Sequence, residues 1–305
     1  MASLLEPGDA VLRAKFFDSG IKQVAKRLFK FKSVVQVSST GAWTNFFFRE
    51  KVGILAAKGT RTVRGIPRNT NFPQATVEWD RITTTIEKYG LEDVIPWEDL
   101  ISDEINVRER TIIKIGEGVV KAVDDAIWSG FGADTLGSGG AITVSTGIQA
   151  FGVGHGFSAS IGSWDDSSAA ILDNLFRAKQ LIGESNYSTE RLVALISERD
   201  HRSVMKFLTD KGSQFPKISE TITETGKKLD LAGIELRVSN SVTASNALIL
   251  VPQRAATWKQ LVPLQTHVEE EKFKNVTVRA VELGVLQVTD PLAAVLITGT
   301  QSGAT

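Results

Sequence analysis

The side chains that could do chemistry are few and scattered. The chain holds three histidines, His155, His201 and His267, and no cysteine. They fall in a Gly-rich stretch, a helical pattern and a connecting segment, so no two stand at the helical or hairpin spacing that a metal site needs. Asp124 and Asp125 are neighbours, and neighbours on a helix point apart instead of pairing across a substrate. Asp165 and Asp166 precede a helical pattern, where they are placed to cap it instead of binding Ca²⁺. Residues 129–166 are rich in Gly and Ser. They follow a helix instead of a strand, and no Lys-Ser/Thr closes them, so they form no phosphate cradle. No Gly-x-Ser-x-Gly elbow and no His-Glu-x-x-His run occurs. The sequence thus supplies no catalytic residue, no cofactor site and no metal site, and a protein that is not an enzyme is expected.

The strongest pattern is architectural. Between Ile95 and Trp128, apolar residues recur at Ile101, Ile105, Ile112, Ile115, Val119, Val123 and Ile127. That spacing keeps one stripe on one side of a helix. Pro96 suits the first helical turn, and Glu98 and Asp99 follow where the helix dipole favours acid. The spacing predicts a helix over 96–128, roughly 50 Å long at about 1.5 Å per residue. Such a helix is a spar for other elements to lie across. Gly116 and Gly118 interrupt it, each at a cost of about 1 kcal/mol against alanine. They serve either close packing against a crossing element or a built-in bend of the spine.

The 305 residues are 42% hydrophobic and 23% charged, which fits an ordinary folded protein. No apolar run approaches the roughly 18–20 residues of a membrane span, and the N-terminus has no signal-peptide pattern. The absence of cysteine fits a cytosolic site of synthesis. Formal charge is zero overall, yet it is unevenly spread. Residues 1–75 hold 13 Lys/Arg against 4 Asp/Glu, whereas residues 76–135 hold 6 against 14. Either two solvated surfaces differ by chance, or the basic part of one copy lies on the acidic spar of another.

Residues 1–43 read as a basic arm with a short amphipathic helix from about Ile21 to Phe31. Its apolar side chains, Phe16, Phe17 and Phe29 among them, need a partner that the segment itself cannot supply. Residues 44–92 read as an extended hairpin. Strand signals run over Trp43–Phe48, Arg61–Ile66 and Ala75–Tyr89, and a phase shift near Asp80–Arg81 suggests a bulge. Such a hairpin is marginal alone and must lie on something. Residues 129–166 read as a long loop with one short strand near Ala141–Val144. An α/β unit follows. Helices are expected over Ile171–Ile182, capped by Asp166 or Ser167, and over Ser197–Asp210, stopped by Gly212. Strands are expected at Leu192–Ile196, Gly233–Val238, Ala247–Val251, Val276–Val288 and Ala293–Thr298. Glu269, Glu270 and Glu271, beside Lys272 and Lys274, read as a solvated or interface segment.

Taken together, these residues resemble a tailed-phage major capsid protein of the Hong Kong 97 type. The order of elements carries the likeness: basic arm, extended hairpin, spine helix, α/β unit. Two stretches carry it most. One is VEWDRITTTIEKYGLEDVIPWEDLISDE from Val77 to Glu104. The other is LVALISERDHRSVMKFLTDKG from Leu192 to Gly212, followed by LAGIELRVSNSVTASNALILVP from Leu231 to Pro252. Encapsulins share the same succession of elements.

The resemblance implies an α+β capsid fold in five parts. These are an N-terminal arm over 1–43, an extended loop over 44–92, and a first peripheral part over 93–204 with the spine at 96–128 and a tip loop at 129–166. An axial domain over 205–267 and returning peripheral strands over 268–305 complete it. It implies self-assembly into hexamers and pentamers of an icosahedral shell around double-stranded DNA, with the virion capsid as its place. The further partners implied are a portal, a scaffold or decoration protein where one is used, and DNA held non-specifically, but no membrane. The basic arm starts almost at once, so a separate scaffold acts or none is needed.

The intersubunit contacts expected from this likeness are Phe16, Phe17, Arg27, Phe29, Lys51, Arg61 and Arg64 on the arm and loop. Glu98, Asp99, Asp103 and Glu104 are expected on the spine, with Gly116 and Gly118 as its bend. Some relatives crosslink a loop Lys to an Asn; Lys51, Lys58 and Asn275 are present here without a motif that calls for it. Two other functions stay open at this stage. One is an encapsulin-like nanocompartment shell that packages a cargo enzyme. The other is a nucleic-acid-binding protein that uses the basic arm.

Overall fold

A computed structural model describes residues 29–50, 68, 79–101, 107–132, 147–153, 162–211, 230–271 and 273–302. The described chain divides into two compact units and carries a two-stranded β-hairpin.

The first unit is built on the spine. Helix α1 spans Trp97–Ile101 and helix α2 spans Val107–Gly130. Residues 102–106, with Asp103 and Glu104, lie outside the described residues. The buried side of α2 is Ile115, Val119, Val123 and Ile127, the stripe the spacing predicts. It lies along a four-stranded sheet ordered β1-β10-β11-β4. These strands are β1 (Gln36–Ser39), β4 (Glu87–Pro96), β10 (Thr257–Glu271) and β11 (Asn275–Gln287). Strand β4 runs antiparallel to β11, with Glu92 opposite Arg279 and Gly90 opposite Val281.

Pro96 does not open the helix as the sequence suggests. It ends β4, opposite Asn275 on β11. A residue without an N–H is tolerated at the end of an edge strand. The N–H of Trp97 donates to the Lys274 carbonyl, so the start of α1 is tied to the sheet.

The extended run expected over Ala75–Tyr89 is two strands. Strand β3 (Trp79–Thr85) joins β2 (Thr44–Glu50) in the hairpin, and β4 belongs to the spine unit. They part at Ile86, not near Asp80–Arg81. Ile86 is buried and its N–H donates to the Trp43 carbonyl. Ile86 keeps the parity of Ile82 and Thr84, and the inward face changes only beyond it, where Tyr89 is the next half-buried residue. Most of the segment between β2 and β3, with Lys51, Lys58, Arg61 and Arg64, lies outside the described residues.

Residues 29–43 are not a free arm. Phe31, Val34 and Val35 are buried, and Phe31 meets Trp128 at 6.0 Å between ring centroids. Residues 29–31, the described end of the helix expected over Ile21–Phe31, are not helical, and a turn over residues 32–34 follows. Residues 1–28, with Phe16, Phe17 and Arg27, lie outside the described residues.

The second unit is a six-stranded mixed sheet ordered β5-β12-β9-β6-β8-β7. Its strands are β5 (Gln149–Gly152), β6 (Leu192–Ile196), β7 (Asp230–Leu231), β8 (Ile234–Val238), β9 (Asn246–Leu250) and β12 (Ala294–Thr298). Every residue of β6, β9 and β12 is buried, as continuous apolar strands covered on both faces must be. Helices α3 (Ile171–Glu184) and α4 (Glu198–Asp210) supply Ile171, Leu175, Ile182, Val204 and Leu208 to the core.

Ser197 caps α4, accepting from the Asp200 N–H at 3.1 Å. Helix α3 has no such cap: its N-cap is Ala170, and Asp166 with Ser167 shapes the preceding turn instead. Gly212 and Ala141–Val144 lie outside the described residues. The two units cut across the expected division: α3 and β12 fall in the sheet unit, and β11 falls with the spine. Strand β12 needs neighbours on both edges, and β5 and β9 provide them.

Candidate assembly interface

No grouping of His, Asp and Glu that could hold a metal occurs among the described residues. What the surface offers instead is unpartnered apolar area beside charge. In β2, Phe46 and Phe48 share one parity and are 56% and 55% exposed. Their rings meet edge to face at 6.1 Å, and the Arg81 guanidinium on β3 lies 4.2 Å over Phe46. Aromatic rings held by arginine are the composition of interface hot spots. The chain enters β2 through a turn fixed by side chains. The Thr40 hydroxyl donates to Asn45 Oδ1, and Asn45 Nδ2 donates to the Ala42 carbonyl.

The spine unit carries a second surface. Glu98 and Asp99 are exposed on α1, in its first turn. Trp97 beside them meets Phe273 at 5.6 Å, edge to face. Phe273 tips the β10–β11 turn, 78% exposed, with a φ of +58°. That left-handed backbone costs an L side chain about 1–2 kcal/mol. Along the edge strand β4, Leu91 and Val94 are exposed as well. Across the sheet, Arg279 ties β4 to β10 by bonding Glu92 and Glu269. The Glu92 bond, reinforced by its charge, raises the guanidinium above its ordinary value and lowers the Glu92 carboxyl.

The root of the arm is held from beneath by two buried carboxylates. Glu282 on β11 is fully buried, and its Oε1 accepts from Lys32 Nζ, Trp258 Nε1 at 3.1 Å and Gln260 Nε2 at 3.0 Å. Asp124 on α2 accepts from the N–H groups of Lys30 at 3.2 Å and Phe31 at 3.3 Å. Burial pushes the Asp124 carboxyl up to about 6, against the pull of those backbone donors. The Tyr89 hydroxyl is also pushed up, by burial and by its bond to Glu87.

Of the contacts expected from sequence, Phe29, Glu98, Asp99, Gly116 and Gly118 are described. Phe29 is half-buried at the arm root, with the Lys32 ammonium 4.6 Å from its ring. Gly116 is buried within an uninterrupted α2. At Gly118 a Cβ would overlap the end of the Leu91 side chain on β4, which would have to turn aside. The sequence reading passed over Phe46, Phe48, Arg81 and Phe273 as contacts. The alternation of β2 could have singled out the first two; nothing in the sequence marks Phe273.

The family model described as phage capsid protein matches residues 80–297, more than half of the chain. The chain belongs to the phage capsid protein family. It is a structural component of a virion capsid. Solved structures share the fold of this capsid protein over most of their length. The virus-like particle from Pyrococcus furiosus is 13% identical, covers 93% of this chain and 99% of its own, and has a TM-score of 0.62. The capsid of cyanophage P-SCSP1u is 14% identical over 90% and 89%, with a TM-score of 0.62. The phage G structure of major capsid and decoration proteins is 6% identical over 88% of each chain, with a TM-score of 0.57. No curated protein matches the chain in sequence. No helix among the described residues is long and apolar enough to cross a membrane.

Proposed function

We propose that this capsid protein is the major shell subunit of a tailed phage, closing as hexamers and pentamers into an icosahedral shell around double-stranded DNA. The observation that carries the proposal is the family match over residues 80–297, which spans both compact units. The spine unit takes the peripheral role and the six-stranded unit the axial role.

The aromatic face of the hairpin, with Phe46, Phe48 and Arg81, packs on a neighbouring copy. The Trp97–Phe273 surface with Glu98 and Asp99 receives basic residues of another copy, Arg27, Lys51, Arg61 and Arg64 among them. Two different surfaces in contact make a heterologous interface, the kind that closes rings. A portal occupies one vertex. The shell offers its outer surface to a decoration protein, as the phage G particle carries. DNA is held non-specifically through its phosphates.

The test is negative-stain microscopy and sedimentation of the expressed protein. Closed particles of megadalton mass are expected. A stable lone monomer at micromolar concentration would overturn the proposal. The likeness to the Pyrococcus furiosus virus-like particle favours a second reading, a nanocompartment shell. A protein cargo in place of nucleic acid inside the particles would select it.

A further inference from the structure

Residues 29–45 run from the arm to the hairpin, and they are fixed at both ends. At the root Phe31, Val34 and Val35 are buried, and Phe31 lies against Trp128 of α2 with ring centroids 6.0 Å apart. The N–H groups of Lys30 and Phe31 donate to Asp124, and Lys32 is bonded to Glu282. At the far end the Thr40 N–H donates to the Gln260 carbonyl at 3.0 Å. The Thr40 hydroxyl and the Asn45 side chain close the turn that leads into β2. The base of the hairpin is tied to this same stretch. Ile86 donates its N–H to the Trp43 carbonyl at 3.0 Å, and the Thr84 hydroxyl donates to the Asn45 carbonyl at 3.3 Å.

Between the two ends lies β1. It stands at the end of its sheet beside β10, and three of its four residues are exposed. So short a strand buries too little to hold itself on a sheet. Apart from its backbone pairing and the Lys259–Ser38 bond at 2.9 Å, its hold comes from the buried root before it and the turn after it. We propose that residues 29–45 are a strap that seats and lifts as one piece, coupling the arm root to the base of the hairpin through β1. Local opening of such a segment is a single cooperative step, because the pairing of β1 does not outlast the loss of either end. The coupling is reciprocal: what steadies the root steadies the turn, and what loosens the turn loosens the root. The strap is a property of the subunit's own fold and stands whether or not the copies close into a shell. In the assembly proposed above, an arm seated on one neighbour steadies the hairpin that docks on another.

The experiment is hydrogen exchange of the full-length subunit below its assembly concentration. It is read at the amides of Lys30, position 31, Thr40 and Ile86, with the amides of Val119 on α2 and of β6 as reference. Phe31→Ala takes the ring from Trp128 and is expected to lower the protection of all four amides together, by about a hundredfold or more, while the reference amides hold. Asn45→Ala removes two hydrogen bonds at the half-buried far end and is expected to lower the same four by about tenfold. Wild-type protection of Thr40 and Ile86 in Phe31→Ala overturns the proposal, as does wild-type protection of Lys30 and Phe31 in Asn45→Ala. An equal loss at Val119 overturns it too, because the strap would then open only with the spine. If Phe31→Ala does not fold, Asn45→Ala decides by itself.

Discussion

Replacing Phe273 with glycine separates what the subunit needs from what assembly needs. In the folded subunit the change removes a left-handed backbone at an L residue, a gain of about 1–2 kcal/mol. Against this stand the extra freedom of glycine in the unfolded chain, about 0.5–1 kcal/mol, and the lost edge contact with Trp97, about 0.5–1.5 kcal/mol. The side chain is 78% exposed, so little apolar burial is forfeited. The sum lies within about 1 kcal/mol of zero. If Phe273 sits in an intersubunit contact, its truncation costs about 2 kcal/mol or more at each contact. That raises the concentration needed for assembly by about thirtyfold. Urea denaturation of the unassembled subunit should find an unchanged midpoint, while light scattering finds the assembly threshold displaced. Particles forming at the wild-type concentration, from a subunit weakened by more than about 2 kcal/mol, would refute the reasoning.

Lys32→Met leaves the buried Glu282 carboxylate without its cation and should destabilise the subunit by about 3–5 kcal/mol; adding Glu282→Gln should return much of that loss, measured as a double-mutant cycle in urea. Gly284→Val should cost about 1–3 kcal/mol, because a Cβ there would stand 2.5 Å from the Trp258 ring, read as a lowered denaturation midpoint. Gly118→Ala should be nearly neutral for the subunit. The exposed Leu91 side chain can swing aside and the helix gains about 1 kcal/mol of propensity. If the variant also assembles and matures normally by microscopy, the spine does not bend at this glycine.

The elements that were legible in sequence are those whose burial repeats. The stripe Ile115, Val119, Val123, Ile127 announced α2, and the short apolar runs at 192–196 and 294–298 announced β6 and β12. The 15-residue strand β10 was not legible. Thr257–Glu271 mixes Pro263 with polar residues on both parities and ends in three glutamates, so no alternation of period two survives. Its pairing is fixed by its neighbours β1 and β11, which lie far away in the chain. The break at Ile86 was hidden for a different reason: Ile82, Thr84 and Ile86 share one parity, so the run reads as one continuous strand. Glu282 gave no signal, because an acid between apolar residues of a strand reads as its solvent face. Only Lys32, Trp258 and Gln260, from two other segments, make its burial tolerable.

The same residues revise how much of the leading third must find its interior in other copies. Phe31, Val34 and Val35 are buried in the chain's own spine unit, and Lys32 is bonded inside it. In the assembly proposed above, the segments lent to neighbours are therefore limited to the residues before 29 and the hairpin from Thr44. Both segments leave from fixed points. The arm leaves from Asp124 and Glu282, the hairpin from the Thr40–Asn45 turn and the Ile86–Trp43 hydrogen bond. A segment anchored at its base has fewer conformations to lose on docking than one tethered loosely, and the difference appears as affinity between copies. Buried charge at the roots and exposed aromatics beyond them are thus two halves of one arrangement. In the proposed assembly the first sets where the lent segments start, and the second, with Phe46 and Phe48, supplies the area they cover.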